Sequence, residues 1–124
     1  MHFLLVDDDP ALLTGLTDAL HLRYENLEVS VKVCAADALT FLQTQPVDLV
    51  ISDMLLSGMG GCRFAEELQR VTPRPPVILM TGAIRDDVEI PRAVSFIIRK
   101  PFSMRDLDTA IRTVLGDSAQ SLLR

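Results

Sequence analysis

Phe3, Leu4, Leu5 and Val6 form an unbroken apolar run that ends directly on Asp7, Asp8 and Asp9, with Pro10 behind them. Like charges side by side at the mouth of a buried segment repel, so the arrangement costs stability unless something positive arrives. Three other apolar runs also end on chemistry-bearing residues: VISD on Asp53, LMTG on Thr81 and RKPF on Lys100. Clustered carboxylates suit a hard divalent cation, and Mg²⁺ in particular takes one or two carboxylates together with waters and phosphate oxygens. A carboxylate is also a nucleophile toward phosphorus, giving an aspartyl phosphate. Phosphoryl transfer then needs mainly positioning and charge neutralisation, which a cation, the Lys100 ammonium and the Thr81 hydroxyl can supply.

These residues meet only if the elements carrying them are built side by side. Phe3–Val6 reads as a strand, followed by a helix from Pro10 to about His21 with Leu12, Leu13, Leu16 and Leu20 on one face. Asp9 is its natural N-cap and Pro10 its natural first residue, which removes Asp9 from the ligand set. Val29, Val31 and Val33 alternate with polar residues, as in a half-exposed strand near a sheet edge. Ala36 to Gln43 has helical periodicity, Val47–Ser52 is apolar almost throughout, and a helix is expected from Cys62 to Val71. Val77–Met80 and Phe96–Arg99 read as the last two strands. In the final helix Ser103 and Asp106 make a capping-box-like start, with Asp where Glu is more usual, Leu107, Ala110, Ile111, Val114 and Leu115 share one face, and Gly116 supplies the stop. Five strand-then-helix units, one with a weak helix, predict an α/β doubly wound sandwich with a parallel sheet covered on both faces. In such sheets ligands bind beyond the carboxyl ends of the strands. Asp7, Asp8, Asp53, Thr81 and Lys100 all stand there.

Composition narrows the classes. The 124 residues suit one domain, with 48% hydrophobic and 23% charged residues, a globular balance. A net charge of −5 leaves no basic excess for displacing counterions from nucleic acid. No apolar run is long enough to span a bilayer, and no leader pattern precedes the first strand, so a cytoplasmic location is expected. Cys34 and Cys62 lack metal-like spacing and read as reduced, partly buried thiols. His2 and His21 have no partner at a useful spacing, and the methionines read as packing residues.

The order VDDD, a strand-ending Asp53, Thr81–Gly82 and Lys100–Pro101–Phe102 resembles the receiver domain of two-component response regulators, as in chemotaxis receivers. The resemblance implies a flavodoxin-like (βα)5 fold with strand order 2-1-3-4-5. It implies that Asp53 accepts a phosphoryl group from a histidine kinase or phosphotransfer protein, that Asp7, Asp8, Asp53 and the Leu55 backbone carbonyl hold Mg²⁺, and that Thr81 and Lys100 contact the phosphoryl group. It further implies a cis Lys100–Pro101 peptide, residues 1–116 as the receiver, and 117–124 as a tail or the start of a linker to an effector domain. A homodimer is left open, and neither nucleic acid nor membrane is expected as a partner of the domain itself. Turnover of a separate substrate is not implied. A haloacid-dehalogenase-type phosphatase also uses an Asp after its first strand, but Ala11 stands where that family expects threonine. A degenerate receiver acting only as an interaction module conflicts with the full set of acids, hydroxyl and lysine.

The chain departs from the family pattern in three places. Ser57 stands where proline is usual and Gly60 where an acidic or polar residue is usual, which predicts a looser loop. The stretch between Thr81 and Lys100 is short and contains Pro91, so the fourth helix is expected to be very short or absent. The aromatic switch residue normally lies three places before the lysine. Here that place is Ile97, with Phe96 one position off, so either a bulge restores the aromatic or the switch lacks one. Leu55 and Ala83 stand where similar proteins control water access, and neither side chain can orient a water, which predicts a persistent phosphoryl group.

Overall fold

The computed structural model describes residues 1–54, 60–82 and 90–124. Its elements, in chain order, are β1 (His2–Val6), α1 (Pro10–Arg23), β2 (Glu28–Lys32), α2 (Ala35–Thr44), β3 (Leu49–Asp53), α3 (Gly61–Leu68), β4 (Val77–Thr81), β5 (Val94–Arg99), α4 (Met104–Leu115) and α5 (Asp117–Gln120). All strand pairs are parallel and the sheet order is β2-β1-β3-β4-β5. This is the predicted flavodoxin-like topology.

Parallel central strands need apolar side chains on both faces, and β3 and β4 are buried at every position. Alternation divides the core in two. Phe3, Leu5, Ile51, Ile78 and Met80 meet α1 and α4 on one face, through Leu13, Leu16, Leu20, Leu107 and Ile111. Leu4, Val6, Val50 and Leu79 meet α2 and α3 on the other, through Ala38, Leu42, Phe64 and Leu68. The edge strand β2 is only partly covered, with Val31 and Val33 exposed.

The caps follow the sequence. Asp9 accepts from the Ala11 and Leu12 amides at 3.0 and 3.4 Å. Ser103 Oγ accepts from Asp106 N at 3.1 Å, and an Asp106 carboxylate oxygen accepts from Ser103 N at 3.0 Å. Gly116 ends α4 at φ 63, ψ −139. The Lys100–Pro101 peptide is cis, as is Thr72–Pro73.

Several boundaries moved. Helix α3 ends at Leu68 rather than Val71, because the Gln69, Arg70 and Val71 amides bond three residues back and tighten the chain into turns. Strand β5 starts at Val94, with a register shift against β4: Val77 lies opposite Val94, but Ile78 lies opposite Phe96. The extra residue, Ser95, precedes Phe96 and does not bring the aromatic to the switch face. Phe96 packs with the α1–α4 core and Ile97 with the α2–α3 core, so Ile97 fills the position three before the lysine. The expected shortness or absence of a helix between β4 and β5 falls on 83–89, outside the described residues.

Residues 117–124 fold back onto the end of α1. Ala119 is fully buried, Leu123 bridges Tyr24, and Glu25 N donates to Leu122 O at 2.7 Å. Arg124 donates from its backbone to Arg23 O and from Nε to His21 O.

Candidate functional site

Four strand ends place five side chains. β1 delivers Asp7 and Asp8, β3 ends on Asp53, β4 ends on Thr81, and β5 leads into Lys100. Register keeps the ends level: Val6 pairs with Ser52, Asp53 with Met80 and Thr81 with Arg99. Lys100 N donates to Thr81 O at 2.7 Å, which ties the last two strand ends together.

The three acids converge. One oxygen from each of Asp7, Asp8 and Asp53 lies within 4.8 Å of the others; Asp8 is exposed, and the other two are buried. Opposite corners of a Mg²⁺ octahedron span about 4 Å, so oxygens within 4.8 Å of one another need to close by less than about 1 Å to share that ion, and all are hard donors. Lys100 Nζ lies 3.0 Å from Asp53 Oδ2 and 3.4 Å from Asp7 Oδ2. Thr81, nearly fully buried, closes the β4 side.

Asp7 is 1% exposed, and burial holds its carboxyl above the usual carboxylate range, helped by the neighbouring Asp53 charge. The Asp9 amide, donating to Asp7 Oδ1 at 2.9 Å, and the Lys100 charge oppose that shift without cancelling it. For Lys100, burial disfavours the ammonium, but the bond and charge of Asp53, then those of Asp7, outweigh it and raise the group above its ordinary value.

Asp7, Asp8, Asp53, Thr81 and Lys100 are therefore brought to one end of the sheet. Leu55, expected to offer its carbonyl, and the Leu55 and Ala83 positions expected to govern phosphoryl lifetime lie outside the described residues, as does Ser57. Two supporting groups had no sequence signal beyond proximity. The Asp9 amide orients Asp7, and the buried Ser52 hydroxyl donates to Asp53 O at 3.0 Å. Cys34 and Cys62 are free and half-buried, away from the acid cluster's ligand set; burial and then Glu66 raise the Cys62 thiol, which disfavours thiolate chemistry.

A family model described as the response regulator receiver domain matches residues 3–112. The transcriptional regulatory protein GlrR of Escherichia coli K12 is 40% identical over 121 residues, covering 95% of this chain and 27% of that protein, so the chain spans about a quarter of its relative's length. Among solved structures, the receiver domain of sensor histidine kinase PA1611 from Pseudomonas aeruginosa, described with magnesium coordinated in its active-site cleft, superposes with TM-score 0.79 at 24% identity, covering 93% of this chain and 97% of that one. The structure of histidine kinase ThkA in complex with response regulator TrrA gives TM-score 0.79 at 24% identity, covering 93% and 98%. At that identity these two likenesses speak for the fold.

Proposed function

The chain belongs to the response regulator receiver family of two-component systems, and from that premise we propose that Asp53 is its phosphoacceptor. The observation that carries the reading is the convergence of Asp7, Asp8, Asp53 and Lys100 from separate strand ends on one pocket. An Asp53 carboxylate oxygen attacks the phosphorus of a phosphohistidine on a sensor kinase or phosphotransfer protein. The P–O bond forms, the P–N bond breaks, and the departing imidazole takes up a proton. Lys100, already 3.0 Å from Asp53, balances the charge gathering on the phosphoryl oxygens. Thr81, at the adjoining strand end, donates its hydroxyl to one of those oxygens, and that contact biases the surface around β4 and β5.

Asp7, Asp8 and Asp53, with the Leu55 carbonyl that the family implies, would hold Mg²⁺, which supplies charge neutralisation and a template for the transferring group. On this reading the domain catalyses only its own phosphorylation and dephosphorylation. It acts in the cytoplasm and passes the signal to an effector domain beyond residues 117–124 or to a separate partner. With Ile97 in the switch position, the response travels through an aliphatic side chain.

Incubation with a small phosphoryl donor and Mg²⁺, followed by mass spectrometry of peptides, should place the acyl phosphate on Asp53, with Asp53→Asn unlabelled. Label on another residue, or continuous turnover of a generic phosphate ester without stable label, would overturn the assignment.

A further inference from the structure

The outer side of β2 is an open sheet edge with an exposed apolar face. β2 is the terminal strand of the sheet, and its backbone alternates in direction. Glu28 N donates to Met1 O at 2.9 Å and Lys32 O accepts from Asp7 N at 3.2 Å, so Glu28, Ser30 and Lys32 turn their amides and carbonyls toward β1. Val29 and Val31 therefore turn theirs outward, where the sheet ends. At the start of this edge His21 Nε2 lies 3.2 Å from Leu27 O, which closes that carbonyl to a further strand. The open stretch runs from Val29 to Val33.

Side chains divide just as sharply. Glu28, Ser30 and Lys32 lie on the α2 face, where Ser30 Oγ meets His2 Nε2 at 2.8 Å and Lys32 Nζ lies over the Phe41 ring at 5.1 Å. Val29, Val31 and Val33 lie on the α1 face and line a cavity of about 330 Å³ with Pro10, Leu13 and Thr17. Val31 is 43% and Val33 48% exposed. An edge strand with an apolar face invites another strand, and charged residues are the usual guard.

Here the guard reads the same in both directions. The strand is Glu-Val-Ser-Val-Lys. Turned end for end about Ser30, it sets Glu28 opposite Lys32, Val29 opposite Val31 and Ser30 opposite Ser30. Because Val29 and Val31 are the outward-facing residues, they form the hydrogen-bonded pairs in that register, and each unites a valine with a valine. We propose that two copies of this chain pair β2 against β2, antiparallel about Ser30, to form one continuous ten-stranded sheet. The contact is isologous: Glu28 of each copy meets Lys32 of the other. The charges that repel an unmatched strand become two attractive pairs only for the self-match, and the exposed valines of both copies are covered. So small a contact makes a weak, reversible dimer.

Sedimentation equilibrium of the metal-free, unphosphorylated chain, carried to about millimolar concentration, tests this independently of what Asp53 accepts. Wild type should show reversible dimerisation. Glu28→Lys and Lys32→Glu should each weaken it by roughly tenfold or more, since each turns two attractive pairs into repulsive ones. An equimolar mixture of the two variants should associate again, and the double reversal should self-associate like wild type. Val31→Pro, which removes an outward amide and leaves the β1–β2 ladder untouched, should be monomeric with an unchanged circular dichroism spectrum. A wild type that stays monomeric throughout, or a dimer indifferent to the charge reversals and to Val31→Pro, would overturn the proposal.

Discussion

Lys100 Nζ lies 3.0 Å from Asp53 Oδ2, although 47 positions separate the two residues in the chain. β3 and β5 are not neighbours in the sheet, since β4 runs between them. The lysine reaches across that strand end and sits between Asp53 and Asp7. In the absence of a cation it is the positive charge that the acid cluster calls for.

Replacing it with a side chain of similar length isolates the charge. Lys100→Met should lower the stability of the metal-free protein by about 1–3 kcal/mol, less than for a fully buried pair because Lys100 keeps partial access to water. Urea denaturation measures the loss. Added Mg²⁺ should recover part of it, since binding to the folded form alone shifts the unfolding equilibrium.

The raised carboxyl of Asp7 fixes the sign of a pH dependence. A group whose folded pKa exceeds its unfolded value contributes stability that is fully present below the unfolded value and lost as pH rises through the folded one. Raising the pH above the ordinary carboxylate range therefore costs the metal-free protein stability at this position. Asp7→Asn, which keeps an acceptor for the Asp9 amide, should melt at a higher temperature near neutrality. The gap should close as pH falls toward the ordinary carboxylate range. Mg²⁺ affinity of the wild type, followed by titration calorimetry, should fall over the same acid range with protons released on binding.

Tyr24 is the chain's one tyrosine and there is no tryptophan, so near-ultraviolet absorbance reports a single site. Its hydroxyl donates to Asp108 Oδ1 at 2.8 Å, and Arg23 Nε donates to Asp108 Oδ2 at 2.7 Å. Burial, then the bond to Asp108 and its charge, push the phenol well above its ordinary value. That contribution is present below the phenol's unfolded pKa and lost as pH rises through the folded one. Tyrosinate absorbance should thus emerge only together with loss of helical circular dichroism. Tyr24→Phe should cost about 1–1.5 kcal/mol. Asp108→Ala, which strands the buried Tyr24 hydroxyl while the half-exposed Arg23 guanidinium turns to water, should cost about 1–3 kcal/mol.

Two glycines should respond in opposite directions. Gly116, at φ 63 and ψ −139, occupies backbone space that side chains avoid. A Cβ there would meet nothing within 4 Å, so the cost of Gly116→Ala is backbone strain alone, about 1–3 kcal/mol. Gly15 lies inside α1, also with nothing within 4 Å of an added Cβ. Gly15→Ala should raise stability by about 0.4–1 kcal/mol. Thermal melts of both variants decide the contrast.

The sequence was most informative where one residue has one physical use. Asp9 before Pro10, Ser103 with Asp106, and Gly116 each mark a helix end by local chemistry, and each functions as read. The acid pocket was legible because parallel strands align their carboxyl ends, so four short motifs imply one place. The pairing of Tyr24 with Asp108 was not, since it joins residues 84 apart and Asp108 sits on a helix whose surroundings look polar. The start of β5 was hidden by Ser95, because a bulge breaks the alternation that identifies a strand. The closing segment after Gly116 gave no periodic signal. Its hold on α1 combines backbone bonds, which any sequence can make, with apolar contacts from residues too few to show a period, Ala119, Leu122 and Leu123.

That hold sets the molecule's polarity. Met1 bonds to Glu28 and Leu122 to Glu25, so both ends of the described chain are moored to one short turn at the pole opposite Asp53. A dye, an affinity handle or a fused protein attached at either terminus would hang from that far pole, leaving the acidic mouth open to whatever approaches it.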